Sequence, residues 1–75
     1  MSASMKRAMA EAHLSIVQRH VDAGAACLTR QRALIARLKG RGISSATAEH
    51  LLVSFLRLQA LHVDHRDRLR AELSN

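Results

Sequence analysis

The segment Gly40-Arg41-Gly42-Ile43-Ser44 divides the chain into two long stretches that both have the sequence pattern of helices. Glycine accepts the positive φ angles that end a helix, which we expect at both Gly40 and Gly42, and Ser44 or Ser45 is a good N-cap for the next helix. The chain has no proline, tryptophan or tyrosine and one phenylalanine, which favours helices over strands. We predict one domain over 1–75, with a helix over about 4–39, a turn at 40–44 and a helix over about 45–73.

The stretch before the turn contains an apolar seam whose members alternate three and four residues apart, as in a heptad repeat. The seam consists of Leu14, Val17, Val21, Gly24, Leu28, Gln31, Ile35 and Leu38. A second column at seven-residue spacing lies beside it and contains His13, His20, Cys27 and Leu34. The two columns together predict a broad apolar face on the first helix.

The stretch after the turn predicts a matching inner face. We assign to it Ala48, Leu51, Leu52, Phe55, Leu58, His62, Leu69 and Leu73. A turn of about five residues forces two long helices to run antiparallel, so the predicted fold is all-α, an antiparallel two-helix hairpin. Gln31 and Gln59 are interpreted as polar residues that set the register of the seam. One continuous helix is the alternative, and the glycines and caps at the turn argue against it.

The size of the chain indicates self-association. A domain of 75 residues is marginally stable alone, and a single cysteine cannot form an intrachain disulfide. Five further aliphatic residues fall outside the two faces: Ile16, Val53, Leu56, Leu61 and Val63. We therefore expect a homodimer that forms a four-helix bundle or coiled-coil assembly. The residues assigned to the core and to self-association are Leu14, Val17, Val21, Leu28, Ile35, Leu38, Leu51, Leu52, Phe55, Leu58 and Leu69.

The N-terminal residues do not have the pattern of a targeting segment. Lys6 and Arg7 are not followed by the apolar run of a signal peptide, and the longest apolar runs along the chain extend over only a few residues. We expect no membrane span and a cytoplasmic protein whose thiol is reduced.

Several short motifs resemble those of a set of short bacterial helical-hairpin proteins that have no assigned activity. The motifs are His20-Val21-Asp22-x-Gly24, Gln31-Arg32-x-Leu34-Ile35, Ala48-Glu49-x-Leu51-Leu52-x-x-Phe55 and Leu61-His62-x-x-His65-Arg66. The resemblance extends over roughly residues 13–70. It implies a helical hairpin in a bacterial cytoplasm and implies no particular chemistry.

The net charge of +6 is concentrated near the turn. Between Ala23 and Ala48 there are five basic residues and no acidic ones: Arg30, Arg32, Arg37, Lys39 and Arg41. Such a patch is suited to an acidic protein or a nucleic acid. The near-absence of aromatic residues leaves no stacking platform for bases. Nucleic-acid binding at this patch is therefore the alternative to a function based on helix–helix contact.

Five histidines in a chain of this length invite a chemical interpretation. In the hairpin register His20 lies near His62 and His65, an arrangement that is open to three readings: a transition-metal site, a pH switch, or simple packing of the rings. Cys27 has no evident base beside it. We predict no enzymatic activity, no cofactor and no small-molecule substrate, and a role as an adaptor or small regulator.

Overall fold

The computed structural model describes residues 3–74 and consists of two α-helices. Helix α1 spans Ala3–Gly40 and helix α2 spans Ala46–Ser74. The two helices pack against each other across the connection 41–45, and no strand occurs within residues 3–74. The observed bounds differ from the predicted ones by one residue at each end. The predicted all-helical architecture of two packed helices is therefore confirmed over the described residues.

Helix α1 ends in a Schellman motif. The Ile43 amide donates to the Leu38 carbonyl at 2.9 Å, and the Gly42 amide donates to the Lys39 carbonyl at 3.1 Å. Gly42 has a φ of +68°, the left-handed conformation that this motif requires and that glycine adopts without strain. The expectation of a positive φ at Gly40 was wrong, because Gly40 is the last residue of the helix itself.

Helix α2 begins after two serines that have different roles. The Ser45 carbonyl accepts the first helical hydrogen bond, from the Glu49 amide at 2.9 Å, and Ser45 is buried. The Ser44 hydroxyl accepts a weaker hydrogen bond from the Ala46 amide at 3.4 Å. Ser45 is therefore the residue that directly precedes the helix and opens its hydrogen-bond ladder.

The buried apolar residues of the hairpin form one narrow seam between the helices. They are Val17, Val21, Leu28 and Ile35 from α1 with Ala48 and Leu69 from α2. Leu14, Leu38, Leu52 and Phe55 are half-buried at its edges. These residues occupy the inner positions predicted for them. The exposed fraction of every one of the buried residues exceeds 2%, because a two-helix hairpin has no interior that is enclosed on all sides.

Leu51 and Leu58 are the exceptions to the predicted inner face. They are 47% and 52% exposed. The side chains that face α1 follow the spacing Ala48, Leu52, Phe55, Gln59, His62, Arg66 and Leu69. This three–four register places Leu51 and Leu58 one position to the side of the seam. The sequence-based assignment also gave the column of Leu51 and Leu58 to the inner face, whereas a helix that packs against a single partner buries mainly the two columns of the three–four seam.

Two glutamines connect the helices within the seam. Gln31 Nε2 donates to the Ala48 carbonyl at 2.9 Å, and Gln59 Nε2 donates to the Val21 carbonyl at 2.8 Å. The Gln59 side chain lies directly against Gly24, so that a Cβ at position 24 would collide with Gln59 Oε1. The same oxygen is buried without a hydrogen-bond partner among the described residues. Each glutamine bonds a backbone group of the facing helix, as residues that set a register do.

The hairpin is a rod with extents of 60 × 17 × 14 Å. Within residues 3–74, neither helix contains a stretch that is both long enough and apolar enough to cross a membrane. Because α2 lies along most of the length of α1, each of the two long grooves beside the seam contains one row of side chains from α1 and one from α2 over that length.

Candidate interaction surface

The two sides of the seam carry different residue types. Residues seven positions apart lie on the same side of a helix, and the contacts described below show which columns of α1 and α2 meet. We call one side the apolar flank. It is formed by Met9, His13, Ile16, His20, Ala23, Cys27 and Leu34 of α1 with Leu51, Leu58, Leu61 and His65 of α2.

The apolar flank carries most of the large aliphatic side chains that the hairpin leaves exposed. Five of the nine large apolar residues exposed within residues 3–74 belong to it: Met9, Ile16, Leu51, Leu58 and Leu61. Leu61 is 66% exposed, the largest fraction in this set. The sequence analysis predicted that Ile16, Val53, Leu56 and Leu61 would lie outside the core, which is confirmed, whereas Val63 is half-buried.

An open groove crosses the apolar flank near the middle of the rod. Its volume is about 280 Å³, and its lining is almost entirely apolar. The lining residues are His20, Ala23, Gly24, Cys27, Phe55, Leu58, Gln59 and His62. The groove exists because Ala23 and Gly24 have little or no side chain at the level where Gln59 reaches across from α2.

Four histidines meet in two pairs along the same flank. The rings of His13 and His65 pack edge to face with centroids 4.9 Å apart, and those of His20 and His62 are 5.3 Å apart at a tilt of 39°. The predicted proximity of His20 and His62 is thus observed, whereas His65 pairs with His13. Within residues 3–74, no group of three or more histidine, cysteine or acidic side chains is arranged to hold a metal ion.

Cys27 shares the groove with two imidazoles, which the sequence analysis did not anticipate. The signal was present in the sequence, since His20 and Cys27 are seven residues apart in one column. Two positions so spaced on a helix lie about 10 Å apart along its axis. His20 and Cys27 therefore line the groove at different levels along α1.

The opposite side, which we call the polar flank, is crossed by polar contacts between the helices. Lys39 Nζ lies 3.1 Å from Glu49 Oε1, and Arg70 donates to Gln18 Oε1 at 3.0 Å. Gln18 in turn donates to Asp22 at 2.9 Å. Val53 and Leu56 are the exposed aliphatic residues on this side. The polar flank is therefore bridged near the turn and again toward the chain termini.

The ion pair at the turn end has an electrostatic consequence. The Lys39 ammonium donates a hydrogen bond to the Glu49 carboxylate and attracts its charge, which lowers the pKa of Glu49 below its usual value. Both side chains are largely exposed to solvent. The contact therefore joins the first turn of α2 to the end of α1, and it is weak because solvent and salt screen it.

The basic patch surrounds the turn end instead of forming one face. Its five members are all exposed. Arg30 and Arg37 continue the column that contains Ile16 and Ala23, whereas Arg32 and Lys39 belong to the polar flank. Lys39 is paired with Glu49. The patch is a charged collar, which attracts anions from several directions without defining one binding face.

No protein family, curated protein or solved structure matches the chain. Among the described residues, the apolar flank is the best-defined candidate surface, because it combines a groove, paired histidines and exposed aliphatic side chains.

Proposed function

We propose that this protein is a non-enzymatic helical interaction module that acts through self-association, with a homodimer as its basic form. The observation that carries the proposal is the apolar flank, on which five large aliphatic side chains remain exposed. Exposed large apolar side chains that cluster on one side of a protein commonly mark an interface. The module would serve as an adaptor or small regulator.

The thinness of the core supports the same proposal. Six apolar residues are buried within residues 3–74, and ordering the chain costs roughly 1–2 kcal/mol per residue. Covering each well-exposed leucine of the apolar flank would return up to about 1.5–3 kcal/mol. Packing two hairpins into a four-helix bundle covers such residues without any change in the fold.

The groove itself is poorly suited to a substrate. Its volume of about 280 Å³ lies just below the range of roughly 300–1,000 Å³ typical of ligand sites. It is open on one side, and its lining offers few polar groups that could orient a reactant. Apolar contact with another protein surface fits these properties better than catalysis does.

Sedimentation equilibrium of the full chain over a wide concentration range tests the proposal. We expect a reversible transition from the monomer mass to twice that mass. A single species of monomer mass up to about 100 μM, where a Kd of that size corresponds to roughly 5.5 kcal/mol, would refute self-association as the function.

A second candidate function follows from the charged collar, whose five basic residues are all exposed. Binding of a nucleic acid there would depend strongly on salt. Replacement of Arg32, Lys39 and Arg41 together by glutamine, with Arg37 of the apolar flank retained, should abolish a gel shift at low salt and leave the sedimentation behaviour unchanged. If no shift occurs at low salt with the unaltered protein, nucleic-acid binding is eliminated and the collar remains a candidate site for an acidic protein.

A further inference from the structure

The apolar flank has the size and the distribution of charge that contact with a second copy of the same flank requires. Resting on the proposed self-association, we propose that this flank docks on the same flank of a second copy, with the two hairpins antiparallel and their turns at opposite ends of the dimer. The two-fold axis then crosses the groove at the level of Gly24 and Gln59, which face each other across the seam.

The dimensions of the flank meet the requirement of a stable dimer. The rod is 17 Å wide, and its two helices lie side by side over α2, whose 29 residues extend over about 44 Å. The flank that both helices form therefore presents roughly 750 Å², and stable interfaces cover roughly 600–1,000 Å² on each partner. Contact along the whole of this flank is therefore sufficient, whereas contact at one end of the rod would cover too little.

The residues around the groove are arranged so that a two-fold axis matches apolar groups to apolar groups. Leu58 and Leu61 lie on either side of the Gln59 level, so the axis places Leu58 of one copy opposite Leu61 of the second copy. Ala23 lies beside the axis and faces its own equivalent. Small residues there allow the two α1 helices to approach closely. A surface that matches itself in this way has the property of an isologous interface.

The distribution of charge selects the antiparallel orientation. Residues 23–58 contain six basic side chains and one acidic side chain, whereas the remaining residues contain six basic and five acidic. A parallel dimer would place two strongly cationic halves side by side. In the antiparallel dimer each cationic half lies beside a nearly balanced half, which reduces the repulsion.

The flank itself repeats this asymmetry in two of its columns. Arg30 and Arg37 continue the α1 column toward the turn, and Glu72 continues the column of Leu51, Leu58 and His65 toward the C-terminus. Arg37 and Glu72 lie about equally far from the level of Gly24, on opposite sides of it. The antiparallel arrangement brings Arg37 to the level of the second copy's Glu72. A parallel arrangement would gather four arginines at the turn end of that surface and leave both Glu72 side chains at the other end.

Disulfide trapping of single-cysteine variants distinguishes the orientations. In a Cys27→Ser background, Ala23→Cys reports on contact at the axis, Arg41→Cys reports on contact between turns, and Ala60→Cys is the matched control on the outward side of α2. All three positions are exposed. We expect oxidation to convert most of the Ala23→Cys protein into a covalent dimer, and to leave the other two variants at the background of the cysteine-free protein.

The alternative outcomes have separate meanings. Cross-linking of Arg41→Cys but not Ala23→Cys would overturn the orientation, because turns meet only in a parallel dimer. If neither cross-links in samples that sediment as dimers, another surface forms the interface. A monomer by sedimentation refutes the proposed function and this inference together. An equimolar mixture of the Leu58→Cys and Leu61→Cys variants, whose positions lie opposite each other across the axis, repeats the test if Ala23→Cys loses helicity, and should also cross-link.

Discussion

The two flanks of the hairpin border the same seam but are held together by different interactions. The polar flank is bridged by Lys39 with Glu49 and by Arg70 with Gln18. The apolar flank has ring contacts and a groove instead, and most of the exposed aliphatic residues lie on it. Ion pairs and hydrogen bonds between exposed groups are complete within one chain, whereas exposed aliphatic groups gain free energy only when something covers them. The contacts of the polar flank are therefore made within one hairpin, whereas covering the apolar flank would still lower the free energy.

The largest expected effect comes from placing a charge on one flank or the other. Leu58 and Leu56 are neighbours on α2, are 52% and 39% exposed, and belong to the apolar and polar flanks respectively. Leu58→Glu should weaken dimerisation by about 1,000-fold, roughly 4 kcal/mol, because each dimer would enclose two unpaired carboxylates. Leu56→Glu should change it less than about threefold. Sedimentation equilibrium measures both.

This pair separates assembly from folding. The less buried residue is expected to have the larger effect on assembly, which is opposite to the order expected for folding stability. Circular dichroism of each variant should show unchanged helix content at concentrations where the unaltered protein is monomeric. Equal weakening by the two substitutions would contradict the assignment of the interface to the apolar flank.

The seam beneath both flanks should contribute to folding and not to the choice of flank. Leu28 is buried, whereas Leu58 is half exposed. Leu28→Ala should lower the free energy of unfolding by about 2–3 kcal/mol, near the lower end for a buried leucine because the core is thin. Leu58→Ala should lower it by less than about 1 kcal/mol when measured below the concentration of dimerisation. Urea unfolding followed by circular dichroism gives both values, and a reversed order would place the core elsewhere.

The fold was predictable from local signals. The Gly40–Ser44 segment predicted the turn, and the three–four spacing through Val17, Val21, Leu28 and Ile35 predicted the buried face of α1. These signals work because a helix terminus and a helix face are determined by residues close in sequence. The assignment of the positive φ to both glycines was wrong at Gly40, since the Schellman motif needs only one such residue.

The surface was less predictable, because it depends on which column of each helix turns inward. On α2 the Leu52 column continues with Gln59 and Arg66, whereas the Leu51 column continues with Leu58 and His65, so hydropathy alone favours the column that lies outside the seam. The hydrogen bond from Gln59 to Val21 selects the register, and it is a contact between residues 38 positions apart. Charged side chains of α2 also take partners that helical spacing does not indicate. Arg70 reaches across to Gln18 and does not pair with Asp67 three residues away, and Asp67 pairs with Arg66.

The close approach at the groove can be tested with two glycines of the same helix. Gly24 faces Gln59, whereas a Cβ at Gly40 would meet nothing. Alanine is more favourable than glycine in a helix by up to about 1 kcal/mol. Gly40→Ala should gain part of this amount. Gly24→Ala must displace the Gln59 side chain from the Val21 carbonyl, a hydrogen bond worth about 1 kcal/mol, and should be less favourable than Gly40→Ala by about that much.

A double-mutant cycle isolates this contact. In a Gln59→Ala background the collision is removed, so Gly24→Ala should become as favourable as Gly40→Ala in urea unfolding at a fixed protein concentration. An effect of Gly24→Ala that is the same with and without Gln59 would show that the glutamine does not occupy the space beside Gly24.

The smallest expected effect belongs to the polar flank and depends on pH. Lys39 lowers the pKa of Glu49 in the folded hairpin, so the folded state favours the ionised carboxylate more than the unfolded chain does. The stabilisation by this pair is therefore fully present above the ordinary glutamate value of about 4.3 and disappears as the pH falls through the lowered value. Glu49→Gln removes this pH-dependent contribution. The difference in melting temperature between the unaltered protein and Glu49→Gln should be small at pH 7 in low salt and smaller in 1 M salt. As the pH falls below 4 and Glu49 is protonated, the difference should lose the part that depends on the charge of Glu49. A difference that stays constant between pH 7 and pH 3 would show that the charge of Glu49 does not contribute to closing the polar flank.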